Sequence, residues 1–212
     1  MTKGMYHYLR EAWKKPDIKV LRERMIRWRD SEAIVQVEKP LRLDKARAIG
    51  YKDKKGFSVA RIRLVRGGHK RTRPNKGRRS KRMHIRKVLK MSYKWIAEQR
   101  VARKYTNLEV LNSYKIGKDG IHYFYEVILV DPERPEIKND PTINWICNPQ
   151  NRKRPMKGLT SSGRTSRGLR NKHPTSKVRP SVRAGKRRGK QTRPDPRPKR
   201  PGLCTPSAWK GP

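Results

Sequence analysis

Residues 54–97 carry 17 Lys and Arg and not one carboxylate, and from residue 141 onward 20 Lys and Arg stand against the single acid Asp195. The chemistry open to such side chains is anion binding. Ammonium and guanidinium groups neutralise phosphates and release their condensed counterions, and each contact steepens the salt dependence of binding by roughly 0.7–0.9 in log–log slope. Arg outnumbers Lys between residues 66 and 82. Its planar fork grips a phosphate through two hydrogen bonds and also stacks on bases. A net charge of +41 over 212 residues repels itself. The polyanion that matches it in charge and size is nucleic acid.

The candidate phosphate ligands fall into three groups. Arg47, Lys54, Lys55, Arg61, Arg63 and Arg66 precede or line a strand. A Gly- and Pro-containing loop then supplies His69, Lys70, Arg71, Arg73, Lys76, Arg78, Arg79, Lys81 and Arg82, with Arg86 and Lys87 just beyond. A structureless loop of this length inside a compact domain is usually functional. The third group is Arg152, Lys153, Arg154, Lys157, Arg164, Arg167, Arg170 and Lys172. Interspersed Gly permits close backbone approach to RNA, and Pro keeps the chain extended.

Other chemistries find no constellation. None of His7, His69, His84, His122 and His173 pairs with another His or Cys at metal-ligand spacing. Gly67-Gly68 lacks the Gly-Lys-Ser/Thr ending of a phosphate-binding loop. No carboxylate pair suits metal-dependent phosphodiester cleavage. Cys147 and Cys204 read as two inert thiols in a reducing compartment. The N-terminus lacks the apolar core of a signal peptide, and no apolar run is long enough to cross a membrane. The expectation is therefore a cytosolic protein, or a nuclear one if the source has a nucleus, that is non-enzymatic and holds no cofactor or metal.

The elements that must position these cations can be read from periodicity. Residues 5–14 form a helix with Tyr6, Leu9 and Trp13 on one face, ended by Pro16. Asp17 caps a second helix, whose stripe of Ile18, Leu21, Met25 and Trp28 packs while Lys19, Arg22, Arg24, Arg27 and Arg29 spread over the rest. Residues 33–37 are a short strand. In the strand 57–65, Ala60, Ile62 and Leu64 face a core, and Arg61 and Arg63 mark a cationic face. Residues 88–105 are helical, with Val88, Met91, Trp95, Ala102 and Tyr105 sharing a side. Strands 108–116 and 121–131 flank a hairpin signal at Gly117-Lys118-Asp119-Gly120. The second is apolar on both faces and so should be central. Residues 133–147 hold one more short helix or turn.

Hydrophobic residues make up 33% of the chain, or about 40% with its 15 Gly, below the roughly 45–50% of an ordinary domain. The deficit is local: residues 149–207 contain no Phe, Trp or Tyr. Such a segment cannot offset the entropy cost of ordering its own backbone. The expected organisation is an α+β body over 1–147 and an extended basic tail over 148–212 that becomes ordered on RNA. The body holds a small antiparallel sheet, N-terminal helices and the long basic loop 66–87.

Several stretches resemble one known family. Asp44-Lys45-Ala46-Arg47-Ala48-Ile49-Gly50-Tyr51, Gly56-Phe57, Arg61-Ile62-Arg63 and Arg66-Gly67-Gly68 are similar to the signature of the archaeal and eukaryotic large-subunit ribosomal protein fifteen, the e-type family. Tyr6-His7-Tyr8-Leu9-Arg10-Glu11-Ala12-Trp13, Leu111-Asn112-Ser113-Tyr114, the run from Tyr125 to Pro132 and Asn144-Trp145-Ile146 agree with it. So does Gly158-Leu159-Thr160-Ser161-Ser162-Gly163-Arg164 with Ser166-Arg167-Gly168-Leu169. The resemblance spans about 5–172, leaving the Pro-rich end near 193–201 outside it. It implies a structural protein of the large ribosomal subunit, hence of the cytoplasm, that binds large-subunit rRNA, touches neighbouring ribosomal proteins, has no catalytic activity and forms no homo-oligomer. Two other readings differ in what they require. A chromatin-type architectural protein would bind duplex DNA as well as rRNA, and an RNA-processing enzyme would need an acid–base or metal constellation.

Overall fold

The computed structural model describes residues 3–68 and 89–170. The loop candidates from His69 to Lys87, and Lys172, lie outside them. Helix α1 (Met5–Lys14) and α2 (Ile18–Asp30) open the chain. The Asp17 carboxylate accepts from the Lys19 amide at 2.9 Å and starts α2. Met25 and Trp28 of the expected stripe are buried, whereas Ile18 at the helix start is exposed.

Four antiparallel strands follow: β1 (Ile34–Val37), β2 (Phe57–Val65), β3 (Glu109–Lys118) and β4 (His122–Val130), in spatial order β1-β2-β4-β3. As its two-sided apolar pattern requires, β4 is central, with Phe124 to Val130 all buried. The hairpin turn falls at residues 119–121, where Asp119 accepts from the amides of Ile121 and His122. Gly117 lies instead within β3, at a register shift between Lys115 and Gly117. A Cβ there would meet the Met25 sulfur at 3.4 Å, so the bare backbone lets α2 pack close to the bulge.

Both faces of the sheet are covered. On one, Val59, Tyr114, Phe124, Ile128 and Val130 pack with α2, α3 (Leu43–Ala48), α5 (Pro135–Lys138) and the 3-10 turn Asn144–Cys147. Trp28 and Phe124 meet there with ring centroids 5.2 Å apart. On the other face, Ala60, Ile62, Leu64, Val110, Tyr125, Val127 and Leu129 pack with α4 (Tyr93–Lys104). The Ser92 hydroxyl caps α4, which is shorter than the 88–105 read from periodicity and buries Ala97, Glu98 and Val101. Of the expected stripe, Ala102 and Tyr105 pack against the same core, Met91 and Trp95 are half-buried, and Val88 lies outside the described residues.

The segment after Asn148, read from its composition as the start of an extended tail, is folded where it is described. It forms the 3-10 turn Pro149–Asn151, α6 (Arg154–Lys157) and α7 (Ser161–Ser166). These elements belong to the same compact unit as the sheet. Its anchor is polar rather than apolar, as the contacts of Glu98 described below show.

Candidate nucleic-acid interface

Three buried carboxylates of the body, Glu98, Glu109 and Glu126, serve its own fold. Glu98 is fully buried on α4 and accepts hydrogen bonds from Ser113 of β3, Thr160 at 2.6 Å and Ser162. Glu109 of β3 accepts from the Lys153 amide with both oxygens at 3.0 Å. That contact holds Lys153 in the left-handed region, at φ +55°. Glu126 of β4 is buried and accepts from the Leu41 amide and the Tyr114 hydroxyl. Burial pushes the Glu126 carboxyl above its ordinary range, opposed by those hydrogen bonds and by Arg61 and Arg42. Satisfied buried carboxylates of this kind specify how elements dock, since an unpaired one would be costly.

Against this acidic interior, the described cation candidates divide by environment. Arg61 and Arg154 turn inward. The Arg61 guanidinium lies 5.2 Å from the Trp28 ring centroid, and desolvation lowers its pKa against the attraction of Glu126. The face of β2 that alternation marked as cationic is therefore a second packed face, closed by α2. Arg154 is buried with its guanidinium 4.4 Å from the Trp145 centroid, again lowered by desolvation while Glu109 and Glu98 favour its charge. Lys54 is paired with Asp140 at 2.6 Å and donates to the Glu136 carbonyl at 2.9 Å. Arg63 donates to the Arg29 carbonyl at the end of α2, and Arg47 to the Tyr6 hydroxyl.

The remaining candidates face outward. Arg66 is exposed, with one guanidinium nitrogen on the Asp119 carbonyl at 2.6 Å. Arg167 is half-buried and donates to the Gly158 carbonyl at 3.2 Å. Lys55, Arg152, Lys153, Lys157, Arg164 and Arg170 are exposed. Among the described residues no carboxylate lies within 4 Å of the charged nitrogens of these eight.

The two ends of the basic loop are held together. The Tyr93 hydroxyl accepts from the Gly67 amide at 2.8 Å and donates to the Gly67 carbonyl at 2.9 Å. Ser166 of α7 in turn accepts from the Ser92 amide at 3.3 Å. The end of β2, the start of α4 and α7 thus converge, so the described residues that flank the loop lie beside the helix that carries Arg164. Arg42, Lys45, Lys94 and Lys115 are not among the phosphate ligands picked out by runs of charge, yet the fold brings them from the start of α3, α4 and β3 around a common cavity. Their proximity comes from interelement packing, which charge runs do not report.

An α+β body that buries Glu98, Glu109 and Glu126 while eight of its described cation candidates have no carboxylate within 4 Å among the described residues has the charge pattern of a polyanion-binding protein. The family model described as Ribosomal L15 matches residues 4–185, and the chain belongs to this e-type L15 family. The match runs past residue 172, where the recognisable motifs end. Membership makes the protein an RNA-binding structural constituent of the large ribosomal subunit, within a non-enzymatic class that acts in translation. It implies rRNA and other ribosomal proteins as partners and the ribosome, hence the cytoplasm, as location. No described helix is long and apolar enough to cross a membrane.

Proposed function

We propose that the protein compacts large-subunit rRNA by neutralising phosphates, so that RNA segments can approach one another. The observation that carries this is the division of charge: buried Glu98, Glu109 and Glu126 engage the fold, while Arg66, Arg152, Lys157, Arg164 and Arg170 have no acid partner among the described residues. The loop cations between His69 and Lys87 extend that surface. Residues from Lys172 onward, still rich in Lys and Arg, act as a tail that gains order on RNA. No step requires a metal, a cofactor or a second copy of the chain.

The test replaces Arg152, Lys157, Arg164 and Arg170 with Ala and measures affinity for large-subunit rRNA across a salt series. Four lost phosphate contacts flatten the log–log slope by about 3. An unchanged slope with unchanged affinity would remove this surface from the interface.

A further inference from the structure

Where α3, the start of α4, the edge strand β3 and α7 meet, they border an open cavity of about 720 Å³. Four cations line it: Arg42, Lys45, Lys94 and Lys115. Arg42 is paired with Asp44 at 3.3 Å, but among the described residues Lys45, Lys94 and Lys115 have no carboxylate within 4 Å. The nearby acids are already engaged. Glu98 accepts from three hydroxyls, and Glu126 from Tyr114 and the Leu41 amide. Burial holds the Lys94 ammonium below its ordinary range; Glu98 counters this, while Lys45 and Arg170 add to it. Like charges gathered without a counterion destabilise the empty site and favour an anion in it.

A phosphate alone would leave most of this space unfilled. The rest of the wall includes the half-buried ring of Tyr93 and the edges of Tyr114 and Tyr125, which are themselves buried on opposite faces of the sheet. Concave sites of several hundred Å³, with aromatic walls and a few charged groups, suit a ligand that is part ring and part anion. A nucleotide has that composition, and an unpaired base finds its stacking surface on aromatic side chains. A fully paired helix could present only its backbone to the rim.

Resting on the RNA-compacting reading above, we propose that this cavity seats a single unpaired nucleotide of the RNA, its phosphate against Lys45, Lys94 and Lys115 and its base against Tyr93. The site would then recognise a bulged or looped-out position, which phosphate contacts alone do not distinguish.

The test uses the full chain and two hairpin RNAs, identical except that one carries a single bulged nucleotide. Wild-type protein is expected to bind the bulged hairpin about tenfold more tightly. Thr165→Trp fills the cavity from the exposed face of α7 without changing charge. It should abolish that preference while leaving affinity for the paired hairpin and the salt slope as they were. Lys45→Met with Lys115→Met, both exposed positions, supplies a second variant should the bulky one fail to fold. It should weaken binding of the bulged hairpin more than of the paired one. A wild-type protein that binds both RNAs equally, or a folded variant that keeps the preference, overturns the cavity assignment and leaves the RNA-compacting reading standing. Failure of the wild-type protein to bind either RNA would bring down that reading itself.

Discussion

Glu98 is the side chain on which the most depends. It joins α4 to β3 and to the Thr160–Ser162 stretch, with three hydroxyl donors aimed at one buried carboxylate. Glu98→Ala leaves those hydroxyls without an acceptor and removes the negative charge beside Arg154 and Lys94. A loss of about 2–4 kcal/mol in urea unfolding is expected. Glu126 gives a pH signature. Its folded pKa is raised by burial, so in the window just above the ordinary carboxylate range the native state holds more protons than the unfolded state. Stability therefore falls as pH rises through that window and levels off once the carboxylate is ionised in both states. Relative to Glu126→Gln, the wild-type melting temperature should drop across this interval and run parallel above it; parallel behaviour throughout would show that the carboxyl is not perturbed. Arg61 was legible as a cation but not as an inward one. Alternation reports which residues share a face, and α2 decided that this face would be covered.

At the scale of elements, the α6–α7 segment shows how a stretch poor in large apolar residues can still dock. Gly158 adopts φ +65°, and a Cβ on Gly163 would lie 2.9 Å from the Gly158 Cα. Two backbones therefore touch where no side chain fits. Gly163→Ala must push main chain rather than a flexible side-chain end, at a cost of about 1–3 kcal/mol. Amide exchange should accelerate over residues 154–166 while β4 stays protected; uniform protection would show that the contact is dispensable. The strands and the first two helices were readable because their apolar residues recur with the period of the element, on both faces in the central β4 and along one stripe in α2. The folded stretch 149–166 was not, because the hydroxyl groups that anchor it resemble, in composition, those of a solvated linker.

For the whole molecule, charge segregation sets the behaviour. Replacing Arg71, Arg73, Arg78 and Arg79 with Ala should flatten the salt slope for rRNA by about 3 and slow large-subunit assembly, seen as accumulated precursor particles on sucrose gradients. Normal assembly would take the loop out of the mechanism. A tail locked among RNA helices should also keep the wild-type protein stoichiometric with the large subunit through a high-salt wash. Truncation after Asn171, the end of the compact unit, should turn the same wash into one that strips the protein off.

The amino-acid sequence by itself determined the class of partner, the order of the strands' apolar faces and the family motifs, since net charge, period-two alternation and contiguous signatures are properties of a linear string. Tertiary structure alone decided which cations remain free. It half-buried Arg61 against Trp28, buried Arg154 against Trp145, and paired Lys54 with Asp140. It also drew Glu98 together with Thr160 and Ser162, more than sixty positions away, and brought Lys45, Lys94 and Lys115 to one cavity. The physical reason is common to all of these. Local pattern says which way a side chain points from its own strand or helix, but its solvation and its charge partners come from whatever distant element packs against that face.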